Sequence, residues 1–153
     1  MDAVPVRVVI ADEHPLMRDS LRLLLDGEEG IEVVAEADDL VSSIAQVYLQ
    51  RPDVLVLDFR MSDGPSSGVV SELRVRSPGT RIVVLTMHDD PAFAKFALAA
   101  GALGFVRKEF ADSELAEAIR AAAGGEVYVS SQLSRPPAAR PRWAQASSWP
   151  ARR

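Results

Sequence analysis

The sequence contains no cysteine. Disulfide scaffolds, thiolate metal sites, iron–sulfur clusters and cysteine nucleophiles are thereby excluded, and the composition fits a cytoplasmic protein. Histidine is scarce: His14 and His88 stand alone, without paired spacing, and read as surface or loop residues. No apolar run approaches the roughly 20 residues that a membrane helix needs. The N-terminal stretch MDAVPVRVVIADEHP lacks a basic flank leading into a long apolar run, so no secretory signal is expected. The first strand–helix turn has no glycine fingerprint, which argues against dinucleotide binding. The run GPSSG lacks the lysine and the strand–helix setting of a phosphate-binding loop. There is no internal repeat.

Acidic residues are absent from the last 25 positions, where arginines 135, 140, 142, 152 and 153 fall. The first 128 residues therefore carry 12 basic and 22 acidic side chains, a balance of −10. Such a body is a poor surface for a phosphate backbone. The closing run SRPPAARPRWAQASSWPARR shows neither helical nor alternating apolar periodicity. A boundary near Ser130 is expected, with a mostly disordered basic tail beyond it that reads as a solvated linker. Its two tryptophans are compatible with an interaction role. What precedes it is one domain's worth of chain, and 48% hydrophobic residues suffice for a real core.

Short apolar runs alternate with helical spacings through that body. Val6–Ala11, Ile31–Ala35, Asp53–Asp58, Arg81–Thr86 and Leu103–Val106 read as strands. Helices are expected through Met17 to Leu25, Leu40 to Tyr48, Val69 to Leu73, Phe93 to Ala100 and Leu115 to Ala122. Phe59–Ser67, rich in glycine, serine and proline, reads as a loop. Strands alternating with helices imply an α/β fold with a parallel sheet covered on both faces.

In open parallel sheets, ligands bind beyond the carboxyl ends of the strands. Here strand one ends in Asp12 and Glu13, strand three in Asp58 and strand four in Thr86, while Lys108 follows strand five. Carboxylates at close quarters raise each other's pKa values, and a hard divalent cation such as Mg²⁺ relieves the repulsion. A carboxylate is also a nucleophile toward phosphorus, and metal, lysine and hydroxyl would neutralise the phosphoryl oxygens. Taken singly, Asp12 is a helix N-cap candidate and Asp58, Thr86 and Lys108 are ordinary strand-end residues. Their constellation promotes them.

The segments VRVVIADEHPLMR, PDVLVLDFRM, RIVVLTMHDD and GALGFVRKE, in this order, resemble the receiver domain of bacterial two-component response regulators. The likeness covers roughly residues 5 to 130. The wording ADEHPLMRDSL, TMHDD and AGALGFVRKE is most similar to receivers that precede a LuxR-type (NarL/FixJ-like) helix-turn-helix. The resemblance implies a flavodoxin-like, doubly wound five-stranded sheet of order 2-1-3-4-5, with residues 1–130 as receiver and 131–153 as tail. It implies that Asp58 accepts a phosphoryl group from a sensor histidine kinase. It gives Mg²⁺ to Asp12, Glu13, Asp58 and the backbone carbonyl of Arg60. Thr86 would bond a phosphoryl oxygen and reorient on activation, Lys108 would pair with the phosphoryl group, and Phe105 would be the aromatic switch residue. A homodimer on phosphorylation follows from the family, as does transcriptional output through DNA, with no membrane partner.

Two departures from the pattern stand out. Ser62 occupies a position where proline is usual, and the loop before Gly68 is longer by about two residues, which bears on metal affinity and phosphoryl lifetime. No helix-turn-helix is recognisable after residue 130. Two other readings stay open: a receiver-like interaction module that takes no phosphate, and a phosphohydrolase with an aspartyl nucleophile. The second usually needs an aspartate two residues after the nucleophile, where Arg60 stands.

Overall fold

The computed structural model describes residues 4–87 and 90–130. The expectations for His88 and for the tail 131–153 lie outside the described residues. Chain order runs β1 (Val6–Ala11), α1 (Pro15–Asp26), β2 (Ile31–Ala37), α2 (Leu40–Gln50), β3 (Val54–Asp58), β4 (Arg60–Met61), β5 (Gly64–Pro65), α3 (Ser67–Arg76), β6 (Arg81–Thr86), α4 (Pro91–Ala100), β7 (Gly104–Arg107), α5 (Ala111–Ala123) and β8 (Tyr128–Val129). One 3₁₀ turn, Lys108–Phe110, joins β7 to α5.

The main sheet has the order β2-β1-β3-β6-β7-β8, and every pairing in it is parallel. Its first five strands are the five read from the sequence, in the expected order. A sixth strand of two residues, β8, pairs with β7 at the edge. The expected loop contains a further element: β4 and β5 form a small antiparallel pair, Arg60 opposite Pro65 and Met61 opposite Gly64. Two-residue strands fall below what an alternation pattern reveals.

Strand alternation sorts the core into two layers. Val9, Ala11, Leu55, Leu57, Ile82, Val84 and Phe105 face α2, α3 and α4, where Val47, Val69, Val70, Leu73, Ala94 and Ala97 meet them. Val8, Ile10, Val54, Val56, Val83, Leu85 and Val106 face α1 and α5, through Leu21, Leu25, Leu115, Ala118, Ile119 and Ala122. Both faces of the central strands are therefore sealed, which is why β3 is buried along its whole length. The helices begin where local chemistry starts them. Pro15 and Pro91 sit in the first turns of α1 and α4. Asp39 closes a capping box with Ser42 at α2.

Gly104 is a packing requirement. A Cβ added there would lie 2.8 Å from a methyl of Val83 on the neighbouring strand. Gly104→Ala is therefore expected to destabilise the fold by about 1–3 kcal/mol. Gly79→Ala, at an exposed position with nothing within 4 Å of the added carbon, should be close to neutral. Urea unfolding of the two variants checks this, and equal midpoints would contradict it.

Candidate functional site

The carboxyl ends of β1, β3 and β6 and the residue after β7 converge as the topology requires, because β1 and β3 are neighbours from which the chain winds in opposite directions. Asp12 follows β1, and its backbone N–H donates to Ala37 O at 3.0 Å, prolonging the ladder to β2. Asp58 closes β3, and the Phe59 N–H donates to Leu85 O at 2.7 Å, prolonging the ladder to β6. Both carboxylates are thus pinned by backbone pairing on either side of the central gap.

Lys108 lies between them. Its Nζ is 2.9 Å from Asp12 Oδ2 and 3.0 Å from Asp58 Oδ2. All three side chains are at most 9% exposed, so this is a buried charge cluster. The hydrogen bond from Lys108 goes to Asp58. The fully buried Asp12 Oδ2 is held by the ammonium at the shorter distance of the two. Asp12 Oδ1 accepts the His14 N–H at 2.9 Å, and the Arg18 guanidinium donates to the Asp12 carbonyl at 2.7 Å. Arg18 is itself held by Glu36 on β2.

Burial drives the Asp58 carboxyl above its ordinary pKa; Lys108 opposes that rise, Asp12 adds to it, and the Arg60 backbone N–H opposes it. Burial also works against the Lys108 charge, but the contacts with Asp12 and Asp58 outweigh it and hold the ammonium above its usual value. One cation facing two carboxylates leaves a net negative pocket. Together with the approach of Asp12 and Asp58 oxygens to within 4.8 Å of one another, this fits a hard divalent cation that takes a few carboxylates and fills its remaining positions with water.

The other expected residues are distributed around this centre. Thr86 ends β6, buried, in register with Arg107 on β7. Phe105 is fully buried in the core layer under α2, α3 and α4. Glu13 does not join the cluster. Its carboxylate accepts the Ser62 N–H across the site entrance. That bond exists because Ser62, unlike proline, has an N–H to give. The turn Ser62–Asp63 joins β4 to β5, and Asp63 accepts the Leu40 N–H at the start of α2 at 3.0 and 3.2 Å. The longer loop is thus a hairpin tied at its tip to both flanks of the site. Arg60 is exposed on β4.

Two residues add to the site beyond the sequence expectations. His14 is a surface residue of the loop before α1, as expected, with its side chain 67% exposed, and its Nδ1 is also 3.3 Å from Asp12 Oδ1. Phe59 links the site to the core: its ring makes edge contacts with Phe105 at 6.0 Å and with Phe93 of α4 at 5.1 Å. An aromatic directly after the strand-end aspartate was the available signal.

The fold and site define a class, and comparison agrees. The family model of the response regulator receiver domain matches residues 8–120. The oxygen regulatory protein NreC of Staphylococcus epidermidis is 37% identical over 131 residues, which is 84% of this chain and 60% of that protein. The crystal structure of a LuxR-family two-component response regulator from Aurantimonas superposes with a TM-score of 0.81 at 32% identity, covering 85% of this chain and 93% of that one. The receiver domain of the NarL regulator of Mycobacterium tuberculosis gives 0.77 at 34% identity, covering 81% and 100%. This chain belongs to the response regulator receiver family. It is similar to the NreC and NarL members and spans about 60% of the length of the NreC proteins it matches.

Because burial raises the Asp58 carboxyl, the folded state holds that proton more tightly than the unfolded chain. The stabilisation is present at low pH and is lost as pH rises through the raised value. At pH 7 without divalent cations, Asp58→Asn, which leaves Lys108 paired with Asp12, should therefore be more stable than the native chain by on the order of 1 kcal/mol. Magnesium should narrow the difference by stabilising the native chain more than the variant, which lacks one ligand carboxylate. Urea midpoints with and without magnesium check both, and a less stable variant in the absence of the metal would contradict the assignment.

Proposed function

We propose that this chain is a phosphorylation-operated switch of a two-component phosphorelay, taking a phosphoryl group on Asp58 from a sensor histidine kinase. The observation that carries the reading is Asp58 itself. It is a buried carboxylate at the end of the central strand, with an ammonium 3.0 Å away and a second buried carboxylate on the same ammonium. In the transfer, an Asp58 oxygen attacks phosphorus. The O–P bond forms as the P–N bond to the donor imidazole breaks, and the nitrogen leaves with the electron pair.

Lys108 needs no relocation to meet the new phosphoryl oxygens, and a positive group already in place costs no reorganisation. Asp12, Asp58, Glu13 and the Arg60 carbonyl would hold Mg²⁺, whose charge neutralises the phosphoryl oxygens. Glu13 would first leave the Ser62 amide. Thr86, at the end of the adjacent strand, supplies a hydroxyl to a phosphoryl oxygen. Movement there is passed to Phe105 and, through Phe59 and Phe93, to α4. The face of α4, β7 and α5 is the output, and a homodimer forms on phosphorylation. Arg60 offers no acid or base two residues after the nucleophile, so the site is an acceptor rather than a turnover hydrolase.

We take residues 1–130 as the receiver domain and 131–153 as a basic tail. The relatives point to control of transcription. NreC is a regulatory protein, and the RcsB regulator, 28% identical with a TM-score of 0.78, has been solved in complex with DNA. DNA contact would fall to an output domain that the match with NreC does not reach.

Intact mass after incubation with a small phosphodonor tests the reading. A magnesium-dependent gain of one phosphoryl group is expected, abolished in Asp58→Asn with the fold intact. No gain from either a small donor or a kinase, in a folded protein, would favour an interaction module that takes no phosphate. Phosphorylation of the Asp58→Asn variant at the same peptide would refute the acceptor assignment.

A further inference from the structure

We propose that His14 is a metal ligand, and that it turns the Asp12–Asp58 pocket into a mixed nitrogen–oxygen site able to hold first-row transition metals such as Ni²⁺ or Co²⁺ more tightly than Mg²⁺. The proposal rests on the reading of this pocket as a divalent cation site. One ligand atom each from Asp12, His14 and Asp58 lie within 4.8 Å of one another. His14 Nδ1 and Asp12 Oδ1 are 3.3 Å apart. Neighbouring ligands on an octahedron with bonds of about 2.1 Å are about 3 Å apart, so this pair already spans close to one edge of such a polyhedron. Asp12 Oδ2 is turned to the Lys108 ammonium, which leaves Oδ1 as the carboxylate oxygen beside the imidazole.

Asp12 already has a cation, the Lys108 ammonium at 2.9 Å. The backbone places His14 where it is: its N–H is bonded to Asp12 Oδ1, and Pro15 opens α1 immediately after it. The ring remains exposed, beside two buried carboxylates. Its other nitrogen, Nε2, is 4.0 Å from Glu13 Oε2, so a carboxylate is at hand to orient it, as outer carboxylates do for metal-bound histidines. Imidazole does little for a hard ion such as Mg²⁺ but strengthens binding of Co²⁺, Ni²⁺ and Zn²⁺.

Titration calorimetry of the full, untagged chain with Ni²⁺ and separately with Mg²⁺ tests this, on the native protein, His14→Ala, His14→Gln and His88→Ala. Both His14 variants should weaken Ni²⁺ at least about tenfold while changing Mg²⁺ less than about twofold. His88→Ala should bind both ions as the native chain does. Unchanged Ni²⁺ affinity in the folded His14 variants would overturn the proposal, and so would its loss in His88→Ala instead. If Mg²⁺ binds and Ni²⁺ binds no more tightly, the nitrogen ligand is refuted and the phosphorylation switch stands. If neither ion binds the folded native chain, the cation reading falls with it.

Discussion

The structure turns on one ammonium shared by two buried carboxylates. Asp12 and Asp58 are brought side by side by the pairing of β1 and β3, the strand pair at which the winding of the chain reverses. Two carboxylates so close and so deeply buried repel each other, and a cation between them relieves that repulsion. Lys108 is that cation, delivered by the turn after β7 from the far side of β6. Sheet topology, hydrophobic layering and the glycine that lets β7 approach β6 all serve this placement. The remaining negative charge suits the pocket to a divalent cation.

Much of this was legible in the sequence, and for a physical reason. Fully buried strands of a parallel sheet are short continuous apolar runs, and VRVVIA, VLVLD and RIVVLT read as such strands between helical spacings. Once strand ends were located, the residues that follow them had to lie on one edge, so Asp12, Asp58, Thr86 and Lys108 could be grouped before any coordinates. What escaped was whatever depends on side-chain rotamers and short-range geometry. Glu13 and Asp12 are adjacent in sequence, yet one points into the cluster and the other is captured by the Ser62 amide. His14 looked like a lone surface histidine because its proximity to Asp12 depends on the turn that starts α1. The pairs β4–β5 and β7–β8 involve two residues a side, too few for any periodicity.

The aromatic triad gives the fold its internal line of communication. Phe105 lies in the layer beneath α4, Phe59 follows Asp58, and Phe93 is on α4. Edge-to-face rings resist independent reorientation because each fills a space defined by the others. A receiver with tyrosine in place of Phe105 would have a hydroxyl for its outward position. Phe105 has no hydroxyl to bond, so the buried position of its ring is held by packing, in which Phe59 takes part directly and Phe93 through Phe59.

The short strand β8 has a mechanical consequence. Val129 pairs with Phe105, the Ser130 N–H donates to Phe105 O at 2.9 Å, and the Ser130 hydroxyl is anchored to Glu114 on α5. The polypeptide that continues from Ser130 is therefore fastened to the strand that carries the aromatic ring and leads directly into Lys108. Tension applied to that continuation bears on β7 as a shear load across parallel hydrogen bonds rather than being lost in a slack joint. Rearrangement around Phe105 conversely changes the footing from which the rest of the chain departs.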